Sequence, residues 1–411
     1  MDGARTRGQA AALDAVAAMV RGPAPQAVLF VGPDGVGKTT LALDLAAGLL
    51  CTASRADRPC RVCRACRLVE HGDHPDLHRL GPVGPGRQVV IGGHDARYRG
   101  VKDLVVELSL MPVEGGARVA IIEGADRMNE DAQSALLKTL EEPPGGVTIA
   151  LCADQEARLL PTVRSRCFRV RLGLVGARDI ERIVADHGLA DPPTAARLGR
   201  LAAGRPGLAL AYARAPEAVL IRAELTRVLL DLTTARPSSR LAAARVAVPR
   251  AIELSGLLAA DPSAAASALS GRSSRRRGAP APPSRVLSAP SPAAATADQP
   301  RDPETADEPD ETIAIAKTPA TDRRRGVETI VGLWADVARD VVLIENGGGQ
   351  SVRDTVMLEE LGATARAIGP GAAVAFIGRT IRAAELLASN VSPELVLDSL
   401  VLAWPAGRAA A

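Results

Sequence analysis

AVLFVGPDGVGKTT, residues 27–40, decides the fold. Five apolar residues, AVLFV, run without a break, as a strand buried on both faces of a parallel sheet would. GPDGVGKT, Gly32 to Thr39, then fits G-x-x-x-x-G-K-[ST] in full, and TLALDLAAGLL continues as a helix. Strand, glycine-rich loop and helix in that order are the context a phosphate-binding loop requires. Glycines let the backbone curl until its N–H groups converge on phosphate oxygens, and the helix N-terminus adds favourable partial charge. The candidate nucleotide-binding residues are Gly32, Gly35, Gly37, Lys38, Thr39 and Thr40. Lys38 is placed for the β- and γ-phosphates and Thr39 for Mg²⁺, so ATP or ADP with Mg²⁺ is the expected ligand.

Hydrolysis needs acids at the end of a second strand. VAIIEGADRM, residues 119–128, is the candidate, with Glu123 followed by Gly124. Glu123 can serve a magnesium ion; Gly124 has no side chain with which to orient a water. Asp126 lies two residues on. The plain reading of Glu123 and Asp126 is a strand end and a helix cap. Together these favour a site that binds nucleotide and turns it over poorly. VTIALC (147–152) reads as a third buried strand. Strands alternating with helical patterns argue for a doubly wound α/β sheet. From about Gly173 onward the pattern is helical.

Residues 51–66 contain Cys51, Cys60, Cys63 and Cys66 among six cysteines in the chain. C-x8-C-x2-C-x2-C supplies four soft ligands, the number of a closed tetrahedral zinc site, which is structural because no coordination position stays open. Arg55, Arg58, Arg61, Arg64 and Arg67 would offset the charge of a tetrathiolate, and His71, His74 and His78 are alternative ligands. Cys152 reads as core packing.

At 411 residues the chain is long enough for two or three domains. Hydrophobic residues make up 47% and aromatics 2%, so the cores are built from Ala, Leu and Val. A net charge of +3 argues against strong whole-protein attraction to nucleic acid. No apolar run approaches the roughly 20 residues that span a bilayer. MDGARTRGQ lacks the apolar core of a signal peptide, and the cysteine usage suits a reducing compartment, so a cytoplasmic location without membrane partners is expected. Residues 261–325 are rich in Ala, Pro, Ser and Arg and read as a disordered tether. Its Arg275–Arg277 cluster also suits a nucleic-acid contact.

Taken together, these pieces resemble the bacterial DNA polymerase III clamp loader, an AAA+ family. The resemblance rests on GPDGVGKT, the C-x8-C-x2-C-x2-C insertion, HPDL (74–77), ADRMNEDAQSALLKTLEEPP (125–144) and LLPTVRSRC (159–167). It covers residues 8 to about 215 strongly and 326–405 more loosely. It implies an AAA+ domain over 1–172 with a zinc module at 51–66. A small helical lid would follow over 173–215, then an all-α collar from 216–260 plus 326–405. In the family, SRC carries an arginine that reaches a neighbouring subunit's ATP; the matching residues are Ser165, Arg166 and Cys167.

The family contains an ATPase, gamma/tau, and a stator, delta prime. Four features resemble the stator: the Glu123-Gly124 pair, an N-terminus without the adenine-cradling stretch, Gly207 where the ATPase has a sensor arginine, and ASNVSPELVLDSLVL (388–402), where Asn390 and Pro393 break two helices. The implied partners are the gamma/tau and delta subunits, the sliding clamp and primed DNA. A gamma/tau-type motor is the alternative, and it would need functional side chains at Gly124 and Gly207. A stand-alone zinc-bearing DNA-binding protein would need a markedly basic surface.

Overall fold

The computed structural model describes residues 1, 3–84, 87–93, 96–114, 116–259, 319–389 and 391–407. Its N-terminal part is a five-stranded, wholly parallel sheet in the order β2-β3-β4-β1-β5. The strands are β1 (Ala27–Val31), β2 (Leu77–Leu80), β3 (Arg118–Ile122), β4 (Val147–Ala153) and β5 (Phe168–Arg171). Register is continuous across the middle: Val28 lies opposite Ala150 of β4 and Phe168 of β5, and Ala150 opposite Ile121 of β3.

Side chains of a strand alternate between faces, and the two faces here bury different helices. Val28, Phe30, Ile121 and Cys152 pack with Val16 and Val20 of α1 (Ala10–Arg21) and with Leu41 and Leu45 of α2 (Lys38–Leu50). Leu29, Ile122 and Leu151 pack with Leu104 of α4 (Val101–Ser109) and Leu136 of α5 (Glu130–Glu141). Between α2 and β2 lies α3 (Arg64–His71), and the short α6 (Pro161–Arg164) precedes β5.

The three apolar runs read as strands are β1, β3 and β4. β3 begins and ends one residue earlier than the run 119–123, which leaves Glu123 just past its end. LHRL and FRVR are edge strands whose sequences carry no apolar run. An edge strand meets water along one side and keeps polar side chains, so it lacks the signature of a buried one.

Helices α7 (Ala177–Asp186), α8 (Pro192–Leu201) and α9 (Pro206–Arg214) form a small unit around Ile180, Val184, Ala195 and Ala209. A larger helical unit follows: α10 (Pro216–Asp231), α11 (Pro237–Ala259), α12 (Ala320–Glu345), α13 (Leu358–Ile368), α14 (Ala372–Ala388) and α15 (Pro393–Ala403). Of the chain's five Phe and Trp residues, Trp334, Trp404 and Phe376 lie in its core. Phe376 meets Trp404 edge to face, with centroids 4.7 Å apart. The Trp334 indole donates to Leu225 O at 3.0 Å and that of Trp404 to Thr233 Oγ1 at 3.0 Å, so both rings are buried with their polar atom satisfied. Trp334→Ala is expected to cost about 3–5 kcal/mol in a urea titration.

Helix α12 begins at Ala320, so residues 320–325, read as the end of the tether, form its first turns. Arg324 holds that end by donating to Leu387 O and Val391 O. Helices α11 and α12 pack closely: a Cβ at Gly326 would sit 2.7 Å from Ile252. The rest of the tether, residues 260–318, and Asn390 lie outside the described residues. Among the described residues no single helix is long and apolar enough to cross a membrane.

Candidate functional site

Parallel strands gather loops at their carboxyl ends, and ligands bind there. The loops after β1, β3 and β4 meet the helical unit α7–α9 around a cleft of about 910 Å³. Gly35, Gly37, Lys38, Thr39, Thr40 and Glu123 all line it. Gly32 lies beneath, where its carbonyl accepts from Lys38 Nζ at 2.9 Å. Gly37 has φ +102°, a backbone that L side chains rarely adopt, and it starts α2 directly under the loop.

Lys38 is buried and engaged within the chain. Nζ also donates to Pro33 O at 2.8 Å and pairs with Asp154 Oδ1 at 2.6 Å. Cys152 is buried beside Thr39, and burial pushes its thiol up to about 12, so it is core packing with no nucleophilic role.

Glu123 faces the cleft but accepts from Arg79 Nε at 3.1 Å and Nη2 at 2.7 Å. The Asp126 carboxylate accepts the N–H groups of Asp154 at 3.2 Å and Gln155 at 3.3 Å. It therefore braces the loop after β4 and does not line the cleft. Gly124 is left-handed, with φ +60°, and a Cβ there would lie 3.0 Å from Pro82 Cγ. The local backbone itself selects glycine. Gly124→Glu is expected to cost about 1–2 kcal/mol of stability, read by urea titration, and to leave phosphate release at background.

Gly207, at the second position of α9, donates its N–H to Gly35 O at 2.8 Å. A Cβ at Gly207 would lie 3.2 Å from both Gly35 Cα and O. A side chain there would require the phosphate loop to give by a few tenths of an ångström. Arg5, Thr6 and Arg7 also line the cleft, a contribution of residues before α1 that the sequence did not suggest. The buried Asp44 holds Arg5 and Thr6, accepting from both backbone N–H groups and from Thr6 Oγ1. Asp154 was also missed. Its signal was available, because it directly follows a buried strand in a parallel sheet.

The four clustered cysteines come together as their spacing suggests. All four Sγ atoms lie within 4.8 Å of one another, with Cys51 3.6 Å from Cys60 and 3.9 Å from Cys63. A tetrahedral zinc with Zn–S of about 2.3 Å needs sulfurs about 3.8 Å apart. Cys63 caps α3, its sulfur accepting the Cys66 N–H at 3.4 Å, and Cys60 accepts the Cys63 N–H at 3.4 Å. Burial pushes the Cys63 thiol up, but N–H groups of Cys66 and Thr52 and the Thr52 hydroxyl outweigh it and bring it down to about 6. The Cys63 N–H lowers Cys60 in the same way, while burial raises Cys51 and Cys66. This donor set fits a closed metal site.

Three of the five arginines around the cluster direct their guanidinium groups to other partners. Arg61 pairs with Asp44, Arg64 with Glu114, and Arg58 donates to Ala53 O. These bonds tie the loop to α2 and to the segment before β3. Among the histidines, His74 accepts the Asp76 N–H at 3.1 Å and His78 bonds Glu107 at 2.8 Å; none of His71, His74 and His78 belongs to the cysteine group.

Arg166 lies elsewhere. It sits just after α6, pairs with Glu141 Oε1 at 2.6 Å, donates to Thr162 O at 2.9 Å, and is 34% exposed. It does not line the cleft that holds Lys38. Ser165 Oγ donates to Thr162 O at 3.1 Å. The Cys167 thiol donates to Val163 O at 3.3 Å, and burial raises it to about 11. All three side chains bond within this part of the chain, and that of Arg166 stays partly exposed.

Residues 9–175 match the family model described as DNA polymerase III, delta subunit. The DNA polymerase III subunit delta' of Pseudomonas aeruginosa is 38% identical over 151 residues, 37% of this chain and 44% of that protein. The tau subunit of Escherichia coli is 32% identical over 180 residues, 42% of this chain and 26% of that protein. The chain thus spans under half the length of these curated relatives. A crystal structure of a DNA polymerase III gamma subunit-related protein from Thermotoga maritima is 15% identical, with a TM-score of 0.41 over 95% of this chain and 97% of that one. Over the matched region the chain is a relative of the delta' and gamma/tau subunits of DNA polymerase III.

Proposed function

We propose that this chain is the delta prime-type stator of a cytoplasmic DNA polymerase III clamp loader. It supplies Arg166 to the ATP of a neighbouring gamma/tau subunit and assists the delta subunit in opening the sliding clamp for primed DNA. Residues 1–172 serve as an AAA+ domain, 173–215 as its lid, and α10 to α15 as its contribution to a collar.

One observation carries the reading: the chain's own cleft and Arg166 are separate. The cleft has Lys38 and Thr39 but no second acid at Gly124, where the left-handed backbone disfavours a side chain. Arg166 lies outside that cleft, partly exposed, on a turn whose neighbours are fixed. A cation presented away from its own nucleotide site suits stabilisation of charge on another subunit's phosphoryl group. The cleft holds ATP or ADP with Mg²⁺ as a ligand, with Glu123 available to the ion, and turns it over slowly. Cys51, Cys60, Cys63 and Cys66 hold zinc. The ion would supply a rigid four-way link between the end of α2 and the start of α3, with no catalytic role.

Reconstitution tests the proposal. Gamma/tau, delta, clamp and primed DNA are mixed with or without this chain, and clamp retained on DNA is measured. Loading that depends on the chain supports the stator role. Loading that proceeds equally without it removes that role.

A further inference from the structure

A lysine ammonium has three N–H donors. In Lys38 two donate within the chain, to Gly32 O at 2.9 Å and Pro33 O at 2.8 Å, and the ammonium also forms an ion pair with Asp154 Oδ1 at 2.6 Å. A phosphate oxygen that approaches this ammonium meets a carboxylate already in contact with it. The two carbonyls belong to the phosphate loop itself and come with its fold. Asp154 is different, since it arrives from the next strand of the sheet and carries a full negative charge.

The pair is built to persist. Lys38 is buried, and Asp154 is only 27% exposed, so water screens the contact poorly. Both residues line the cleft. The Asp154 backbone is fixed by the Asp126 carboxylate, which is itself buried. Asp126 therefore acts through Asp154, as a positioning residue.

We propose that Asp154 is an internal competitor for the phosphate-binding lysine, so that the Lys38–Asp154 pair sets the affinity of this cleft for a nucleoside triphosphate. The proposal rests on the reading of the cleft as a nucleotide site. In the pair, the carboxylate neutralises the charge that a phosphate oxygen would meet, and it repels an incoming polyphosphate. Opening the pair is a toll on every binding event, and the nucleotide's affinity is reduced by the fraction of molecules in which Lys38 is free.

The test is calorimetric titration of the full chain with ATP, and separately with inorganic triphosphate, in the presence of EDTA. Four proteins are compared: the parent, Asp154→Asn, Asp154→Ala and Lys38→Ala. Asp154→Asn keeps the side-chain shape and guards against a folding defect. Both Asp154 variants are expected to bind each ligand about tenfold more tightly than the parent, and Lys38→Ala to bind neither. An equal gain for inorganic triphosphate places the effect at the phosphates, where a general loosening of the fold would not. If the Asp154 variants bind ATP no better than the parent while Lys38→Ala abolishes binding, the competitor role is wrong and the nucleotide cleft stands. If no protein binds either ligand, both readings fall.

Discussion

Arg166→Ala is expected to lower ATP turnover at the neighbouring subunit's site by roughly 10³–10⁵-fold, the range an arginine finger contributes to phosphoryl transfer. The effect is confined to one interface. It is read most clearly in a complex where the other ATPase subunits carry substitutions of their phosphate-loop lysines. Folding should not be affected. Arg166 is partly exposed and its pair with Glu141 is near the surface, and such pairs contribute at most about 1 kcal/mol. Thermal unfolding of the variant should match the parent. Arg166→Lys separates charge from geometry, because an ammonium lacks the planar fork that grips two phosphate oxygens; only partial recovery is expected. Glu141→Ala should retain turnover, since Arg166 must leave Glu141 to meet a phosphate. A variant with unchanged turnover at that interface would assign Arg166 to the surface of this chain alone.

Zinc should bind with one equivalent per chain and an apparent free energy of about 10–16 kcal/mol at neutral pH. The four sulfurs are already within tetrahedral reach, and Cys60 and Cys63 already accept backbone N–H groups. Cys60→Ser should lose the equivalent, as measured by elemental analysis. Amide exchange should then rise over residues 51–71, where α3 depends on the cluster for its cap. The sheet should be spared. Its faces are buried against α1, α2, α4 and α5, and Val69 of α3 is a minor part of that packing. Metal loss that unfolds the whole chain would show that the cluster is part of the sheet's own core.

What could be read from residues alone follows burial. β1, β3 and β4 are buried on both faces, so each carries an unbroken apolar run. β2 and β5 lie at the edges and were not legible, because half their surface is polar for good reason. Backbone-defined sites were legible where spacing encodes them, as in the phosphate loop and the cysteine knuckle. Side-chain direction was not. Asp126 points to the loop after β4 and Arg61 to Asp44, and both facts depend on contacts distant in sequence. Gly124 was read as a lost acid. The structure adds the reason: a left-handed backbone against Pro82 that admits no side chain without strain.

The most direct test of the stator account is ATP turnover by this chain alone, set beside turnover by gamma/tau with delta, clamp and primed DNA, with and without the chain added. The account predicts background turnover by the chain alone and a rise in the mixture when it is added. Brisk turnover by the isolated chain would contradict it, and would make the Lys38 cleft a motor site despite Gly124.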